Sequence, residues 1–348
     1  MEYFVGIDLH RQFFTVHGTD EKGNDLLKGK FSNSLESLDK VLSAFPTLPK
    51  VVVEATINWM WLVVALQERG CAVKLAHPFR TKAIAAARIK TDTIDAKTLC
   101  HLLRTDMVPS SYIASPEEIE NRELSRGRID LVHKQTHTRN RIHSLLGKEN
   151  LNFPGTDLFG AKGRVWLKTQ RLPEAKRIMI NLYLKELASL KGLITKVDKV
   201  IKVKSRSLPE IKVLESIPGI GTTTAFLLAS EIGDINRFDD PKHFASYFGL
   251  VPRLSQSGGH AYYGRITKLG NPYVRWSLVQ VAHRLARTDR EYQKFVSRIS
   301  FKGGKKKAIV ALTRKLATIV FRVLKDNRLY LPIPEYRQKA WPGSIPGS

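Results

Sequence analysis

The apolar positions of the first hundred residues fall into short runs of two different periods. Residues 3–8 form a short apolar run ending in Asp8, and 13–18 and 26–31 follow as two further strand-like segments joined by the turn Asp20-Glu21-Lys22-Gly23-Asn24. Residues 35–45 carry helical spacing. The valines of 51–55 predict a buried strand that includes Glu54. A helix over 59–69 is closed by Gly70 at its C-terminal cap, and a strand over 72–76 and helices over 79–88 and 93–104 complete the segment. Three consecutive strands followed by alternating helix and strand predict an α/β layer with a mixed sheet, in the order of an RNase H-like domain.

Beyond residue 110 the pattern becomes α. Residues 116–150 and 173–206 place Leu, Ile and Val at three- and four-residue steps between charges, which predicts a central helical coiled coil of two antiparallel arms. Pro154, Gly155, Gly160 and Gly163 mark 152–163 as the loop between the arms. A mostly helical third unit contains Ile217-Pro218-Gly219-Ile220-Gly221, a polar loop at 255–260, and helices near 272–288 and 305–325. The expected domains are therefore 1–110, 111–207 and 208–330, with a Pro/Gly/Ser-rich tail over 331–348.

Composition adds partners and compartment. The excess of 57 Lys+Arg over 32 Asp+Glu, net +25, implies a polyanion such as nucleic acid. It is unevenly spread. Residues 1–110 hold 14 basic and 12 acidic residues, 111–210 hold 20 and 11, and 211–348 hold 23 and 9. Phosphate neutralisation therefore belongs mainly to the middle and C-terminal parts. Cys71 and Cys100 lie in apolar surroundings and read as core residues of a reducing compartment. No apolar window reaches transmembrane length and the N-terminus enters a strand directly, so the expectation is a cytoplasmic, nucleoid-associated protein with no membrane partner.

Four constellations carry chemistry. Asp8, Glu54, Asp92 and Asp95 lie on strand ends and a helix start that an RNase H-like topology brings together; a like pair at about 4 Å costs roughly 4 kcal/mol at an effective dielectric of 20, so the cluster calls for a cation. Oxygen-only ligands select a hard ion, Mg²⁺, suited to phosphoryl transfer. Each acid taken singly is also an ordinary turn, N-cap or first-turn residue. Ser216–Thr222 resembles a helix-hairpin-helix turn, in which Gly219 and Gly221 let backbone amides face a phosphate; a plain αα-turn is the alternative. The loop around Ser255 and Ser257, with Arg253, Arg265 and Lys268, suits a nucleophile beside cations, although Ser-Gly loops are usually only loops. Lys305, Lys306 and Lys307, after Lys302-Gly303-Gly304, form a phosphate-contacting patch or a solvated helix face. Tyr262, Tyr263, Tyr273 and Trp276 suit base stacking or the core equally.

Gly6-Ile7-Asp8, Val53-Glu54-Ala55-Thr56, the segment Lys90–Ala96 with Asp92 and Asp95, Glu215–Gly221, and Pro252-Arg253 followed by Ser257-Gly258 together resemble the DEDD transposases of the insertion-sequence-110 family, over roughly residues 3–325. The resemblance implies a RuvC-like domain whose metal ligands are Asp8, Glu54, Asp92 and Asp95. It implies a C-terminal serine, Ser257 or its neighbour Ser255, that links covalently to DNA. It also implies a recombinase guided by a structured noncoding bridge RNA that pairs with donor and target DNA, working as a dimer or tetramer in which one protomer's acids complete a site with another's serine. A metal-only structure-specific nuclease and a noncatalytic nucleic-acid-binding protein are the competing readings.

Overall fold

The computed structural model describes residues 1–56, 58–84, 92–257 and 260–331. The chain forms two compact units, Met1–Ala114 and Ser115–Ser348. The expected tail from 332 onward, the end of the helix predicted over 79–88, Lys90, Thr91, Gly258 and Gly259 lie outside the described residues.

In the first unit, β1 (Tyr3–Leu9), β2 (Phe13–Asp20), β3 (Asp25–Ser32), β4 (Lys50–Glu54), β5 (Val73–Ala76) and β6 (Ser110–Ser111) form one sheet in the order β3-β2-β1-β4-β5-β6. The pairs β1/β2 and β2/β3 are antiparallel, β1/β4 and β4/β5 parallel, and β5/β6 antiparallel. This mixed sheet is compatible with the expected RNase H-like domain. The helices are α1 (Leu35–Leu42), α2 (Trp59–Glu68), α3 (Pro78–Ile84) and α4 (Asp92–Arg104).

Strand alternation sorts the central strand between two cores. Tyr3, Val5, Ile7 and Leu9 join Val51, Val53, Leu38, Val41, Leu62 and Leu66 in the larger cluster, whereas Phe4 joins Val52, Leu99, Cys100 and Leu103 of the α4 side. By the same alternation Asp8 and Glu54 belong to the α4 side. Gly6 is what lets α4 lie there. A Cβ at this position would meet the Ala96 carbonyl oxygen at 2.2 Å and the Cys100 nitrogen at 2.4 Å.

The second unit begins with α5 (Pro116–Gly147), whose Ser115 N-cap and Glu118 complete a capping box. After α6 (Ala161–Thr169), which falls partly within the predicted loop, α7 (Glu174–Lys204) returns along α5. Ion pairs Glu120–Lys204, Arg128–Asp198 and Glu149–Lys176, with the Arg141–Tyr183 hydrogen bond, record antiparallel packing: each advance along α5 is matched by a retreat along α7. The connecting segment is packed rather than free, since Leu158 is buried against Ile142, Leu146, Leu167 and Ile180.

The remaining elements are α8 (Pro209–Glu215), α9 (Thr222–Ile232), α10 (Pro241–Tyr247), β7 (Pro252–Ser257), β8 (His260–Ile266), α11 (Pro272–Thr288) and α12 (Arg290–Lys325). Their core gathers Phe226, Phe244, Phe248, Leu278, Leu312 and Val320. Glu231 of α9, only 3% exposed, accepts from Arg126 Nε at 2.5 Å and Nη2 at 2.8 Å and so ties α5 to α9. Within the segment predicted as a polar loop at 255–260, the described residues Ser255–Ser257 and His260 instead belong to two antiparallel strands, with Leu254↔Tyr263, Ser255↔Tyr262, Gln256↔Ala261 and Ser257↔His260 paired. A two-glycine connection between strand-like runs is itself a hairpin signal, outweighing the polar composition of the loop.

Candidate functional site

Parallel pairing carries β1 and β4 in register from Phe4↔Lys50 to Ile7↔Val53, so Asp8 and Glu54 each follow the last rung at the same end of adjacent strands. The first turn of α4 supplies Asp92 and Asp95. Asp8 is buried, and its carboxyl is pushed above the usual range, chiefly by burial. The charge of His10 opposes this rise, while those of Asp95 and Asp92 add to it. The fold thus brings three of the sequence-predicted acids into electrostatic contact and sets Glu54 on the neighbouring strand end.

His10 is the residue that sequence reasoning missed. Its Nε2 lies 3.1 Å from Asp8 Oδ2 and 3.4 Å from Asp92 Oδ2, close enough for ion pairing. The same nitrogen is buried, and its approach to the two carboxylates rests on proximity and charge rather than on a well-directed hydrogen bond. Ligand atoms of Asp8, His10 and Asp92 all lie within 4.8 Å of one another. A buried carboxylate, further acids and an imidazole nitrogen lying between two of them fit a divalent cation, the oxygen-rich set favouring a hard one.

Local structure holds this loop still. The His10 backbone carbonyl accepts from Asn33 Nδ2 at 2.9 Å and Asn58 Nδ2 at 3.0 Å, which ties the end of β1 to the segments following β3 and β4. The His10 ring packs on Phe13 at 4.5 Å between centroids, and Lys30 Nζ covers the Phe13 ring at 3.4 Å. The signal available in the sequence was the spacing Asp8-Leu9-His10, two residues apart at a strand end.

In the second unit the Ser216–Gly221 turn joins α8 to α9. Gly219 has φ +83°, a conformation that disfavours any side chain, and Gly221 is the N-cap of α9 without a side-chain acceptor for the first amides. A cleft of about 220 Å³ opens beside the turn, lined among others by Gly219, Thr223, Thr224, Gln280, Arg128 and Arg284. Arg128 is already engaged by Asp198.

Arg253, Arg265 and Lys268 are exposed near the base of the β7–β8 hairpin, Arg253 at the irregularity between the Pro252 and Leu254 rungs. Ser257 pairs at the outer end. At about 3.4 Å per residue, four residues of strand separate the Arg253 and Ser257 backbones by roughly 13 Å. The Arg253 and Ser257 backbones are thus set apart along β7, whereas Ser255 follows Arg253 by two residues. Lys305, Lys306 and Lys307 are exposed on α12 just past Gly304. Tyr273 and Trp276 pack against the helical core, whereas Tyr262 is exposed.

A family model described as transposase, of the DEDD insertion-sequence-110 type, matches residues 5–150, and a second, described as transposase IS116/IS110/IS902 family, matches residues 211–297. The probable family 20 transposase of Pseudomonas aeruginosa is 27% identical, over 94% of this chain and 98% of its own length. The transposase for insertion sequence element IS1328 of Yersinia enterocolitica is 28% identical over 83% of this chain and 85% of its own. The pilin gene-inverting protein of Moraxella bovis is 35% identical over 47% of this chain and 54% of its own. Among the described residues no helix is long and apolar enough to cross a membrane.

Proposed function

Starting from the fact that the chain belongs to the DEDD transposases of the insertion-sequence-110 family and is a DNA transposase, a phosphoryl-transfer enzyme, we propose a two-centre mechanism in which the first unit's acids and a C-terminal serine act on the same phosphodiester. The observation that carries it is the gathering of Asp8, His10 and Asp92 beside Asp95, at the strand end that also bears Glu54.

In this reading Asp8, Glu54, Asp92 and Asp95 hold divalent metal, Mg²⁺ by its preference for oxygen donors. Bound there, such an ion would supply positive charge to offset the charge that develops in phosphoryl transfer. His10 holds the Asp8 carboxylate in place. Ser257, with Ser255 as the alternative, attacks phosphorus. The Oγ–P bond forms, the bond from phosphorus to a deoxyribose oxygen breaks, the serine hydroxyl gives up its proton, and the departing oxygen takes one up. Arg253, Arg265 and Lys268 grip phosphates flanking the scissile one, consistent with their distance from Ser257 along the strand. Gly219, Gly221, Lys305, Lys306 and Lys307 contribute sequence-independent backbone contacts.

The division of labour follows charge: 1–110 for catalysis, 111–207 as the helical arms, 208–330 for DNA handling and the serine. Guidance by an element-encoded bridge RNA, pairing with donor and target DNA, and assembly as a dimer or tetramer that brings one protomer's acids to another's serine are parts of the same proposal. So is residence with the bacterial nucleoid in the cytoplasm.

The deciding experiment incubates the full-length protein with Mg²⁺, the flanking noncoding RNA and donor DNA, and follows a covalent protein–DNA adduct on a denaturing gel. Ser257→Ala abolishes the adduct and Ser255→Ala keeps it; the reverse outcome moves the nucleophile by two residues. An adduct-free reaction that still cleaves DNA in Mg²⁺ overturns the serine mechanism in favour of metal-only hydrolysis.

A further inference from the structure

Phe301 is 93% exposed, more than any other large hydrophobic among the described residues. It sits on α12 immediately before the break at Gly304, whose φ of 79° and ψ of 158° interrupt the helix. Five cations surround it in sequence: Arg298, Lys302, Lys305, Lys306 and Lys307. All are exposed, and none has an acidic partner among the described residues. The Lys307 stem crosses Gly303, where a Cβ would meet Lys307 Cδ at 2.7 Å. Arg298, Ile299, Lys302, Gly303 and Lys307 line an open depression of about 280 Å³ beside the aromatic ring's helix turn.

A single exposed aromatic is ordinary on a protein surface; what distinguishes Phe301 is the run of exposed cations on either side of it in the sequence. A second copy of this chain would set five cations against a partner of net charge +25, which is repulsive. A polyanion with flat apolar faces satisfies both features: phosphates meet the lysines and arginine, and a base stacks on the ring.

We propose that Phe301 is a base-stacking residue of the transposase, receiving an unpaired base of the DNA substrate while the surrounding cations hold its backbone. The proposal rests on the reading of Lys305–Lys307 as a phosphate-contacting patch, and adds a stacking platform to it. The break at Gly304 lets the cations that follow approach the strand from a direction that an unbroken helix would deny.

The test uses full-length protein and a short single-stranded DNA carrying 2-aminopurine at alternate positions, whose fluorescence falls on stacking. Wild type and Phe301→Trp quench it. Phe301→Ala binds about tenfold more weakly, as expected for one lost base–aromatic stack. It loses the quench, keeps the salt dependence of binding, and melts at the wild-type temperature because the side chain is almost wholly exposed. Replacing Lys302, Lys305, Lys306 and Lys307 together by Gln flattens the salt dependence while bound DNA stays quenched. Unchanged salt dependence in that variant refutes the phosphate patch but leaves the stacking platform standing. Wild-type affinity and quench in Phe301→Ala overturn the stacking platform. So does a loss confined to RNA of the same sequence, or dissociation of the protein's own oligomer in sedimentation without a change in DNA affinity.

Discussion

His10 Nε2 lies 3.1 Å from Asp8 Oδ2, and this contact joins the one buried acid of the site to a ring anchored by Phe13. The histidine thereby sets where the Asp8 carboxylate points before any cation arrives. Removing groups that orient metal ligands typically lowers metal affinity or activity 10- to 100-fold. His10→Ala is expected to weaken Mn²⁺ or Mg²⁺ binding by about that factor, read by calorimetry, with circular dichroism unchanged. Wild-type affinity in the variant removes His10 from the site.

Asp8→Asn removes the charge that burial and its acidic neighbours disfavour. The metal-free variant is expected to melt at or above the wild-type temperature while strand cleavage falls by at least about a hundredfold. Stabilisation by added Mg²⁺, present in wild type, disappears with it. Normal transposition by Asp8→Asn contradicts the metal assignment.

Gly6→Ala pushes a methyl group into the backbone of α4 at Ala96 and Cys100. The helix must shift, at a cost of about 1–3 kcal/mol. Because α4 carries Asp92 and Asp95, activity is expected to fall further than stability. Chemical denaturation and a cleavage assay on the same preparation separate the two. Equal activity at unchanged stability would show that α4 need not lie so close.

Arg126→Met leaves the Glu231 carboxylate buried, with Arg122 Nε at 3.7 Å as its remaining cation. A broken buried pair costs about 3–5 kcal/mol, and the partial exposure of Arg126 points to the lower end. The double change Arg126→Met with Glu231→Met is expected to recover part of that loss, because no carboxylate stays buried without Arg126, although Arg122 gives up its contact with Glu231. Urea titration of the single and double variants tests this, and additive losses argue against it.

His17 is almost wholly buried on β2, and burial holds its imidazole below the ordinary value although Asp25 Oδ1 lies 3.0 Å away and opposes the shift. His101 nearby is lowered too, again first by burial. The folded first unit therefore binds fewer protons than the unfolded chain near the ordinary histidine range. Its stability is complete above about pH 6.5 and is lost as pH falls through that value toward the depressed folded one. The melting temperature should drop between about pH 7.5 and 5.5, and His17→Gln should flatten the slope. A wild-type melting point that does not move across this range contradicts the expectation.

The alternation of Tyr3, Val5 and Ile7 with Phe4, Gly6 and Asp8, and the valines ending in Glu54, suffice to predict two strands that finish in acids. Short apolar runs, rich in β-branched residues and too short for a helix, read this way because a strand buried on both faces is written as a near-continuous apolar segment. The long arms over 116–150 and 173–206 are legible for the same reason, and the structure differs by a few residues at their ends. The β7–β8 hairpin was less legible, since Ser, Gln and Gly report composition while the ladder depends on pairing across the turn.

The sequence by itself determined most of the element types, the basic surplus and the family. Only the tertiary structure decided that His10 joins Asp8 and Asp92, that Gly6 is the clearance on which α4 rests, that Arg253 lies far along its strand from Ser257, and that Phe301 is left in solvent. Period and charge are properties of neighbours along the chain. Distance between side chains from different elements is set by register and close packing, which no single segment encodes.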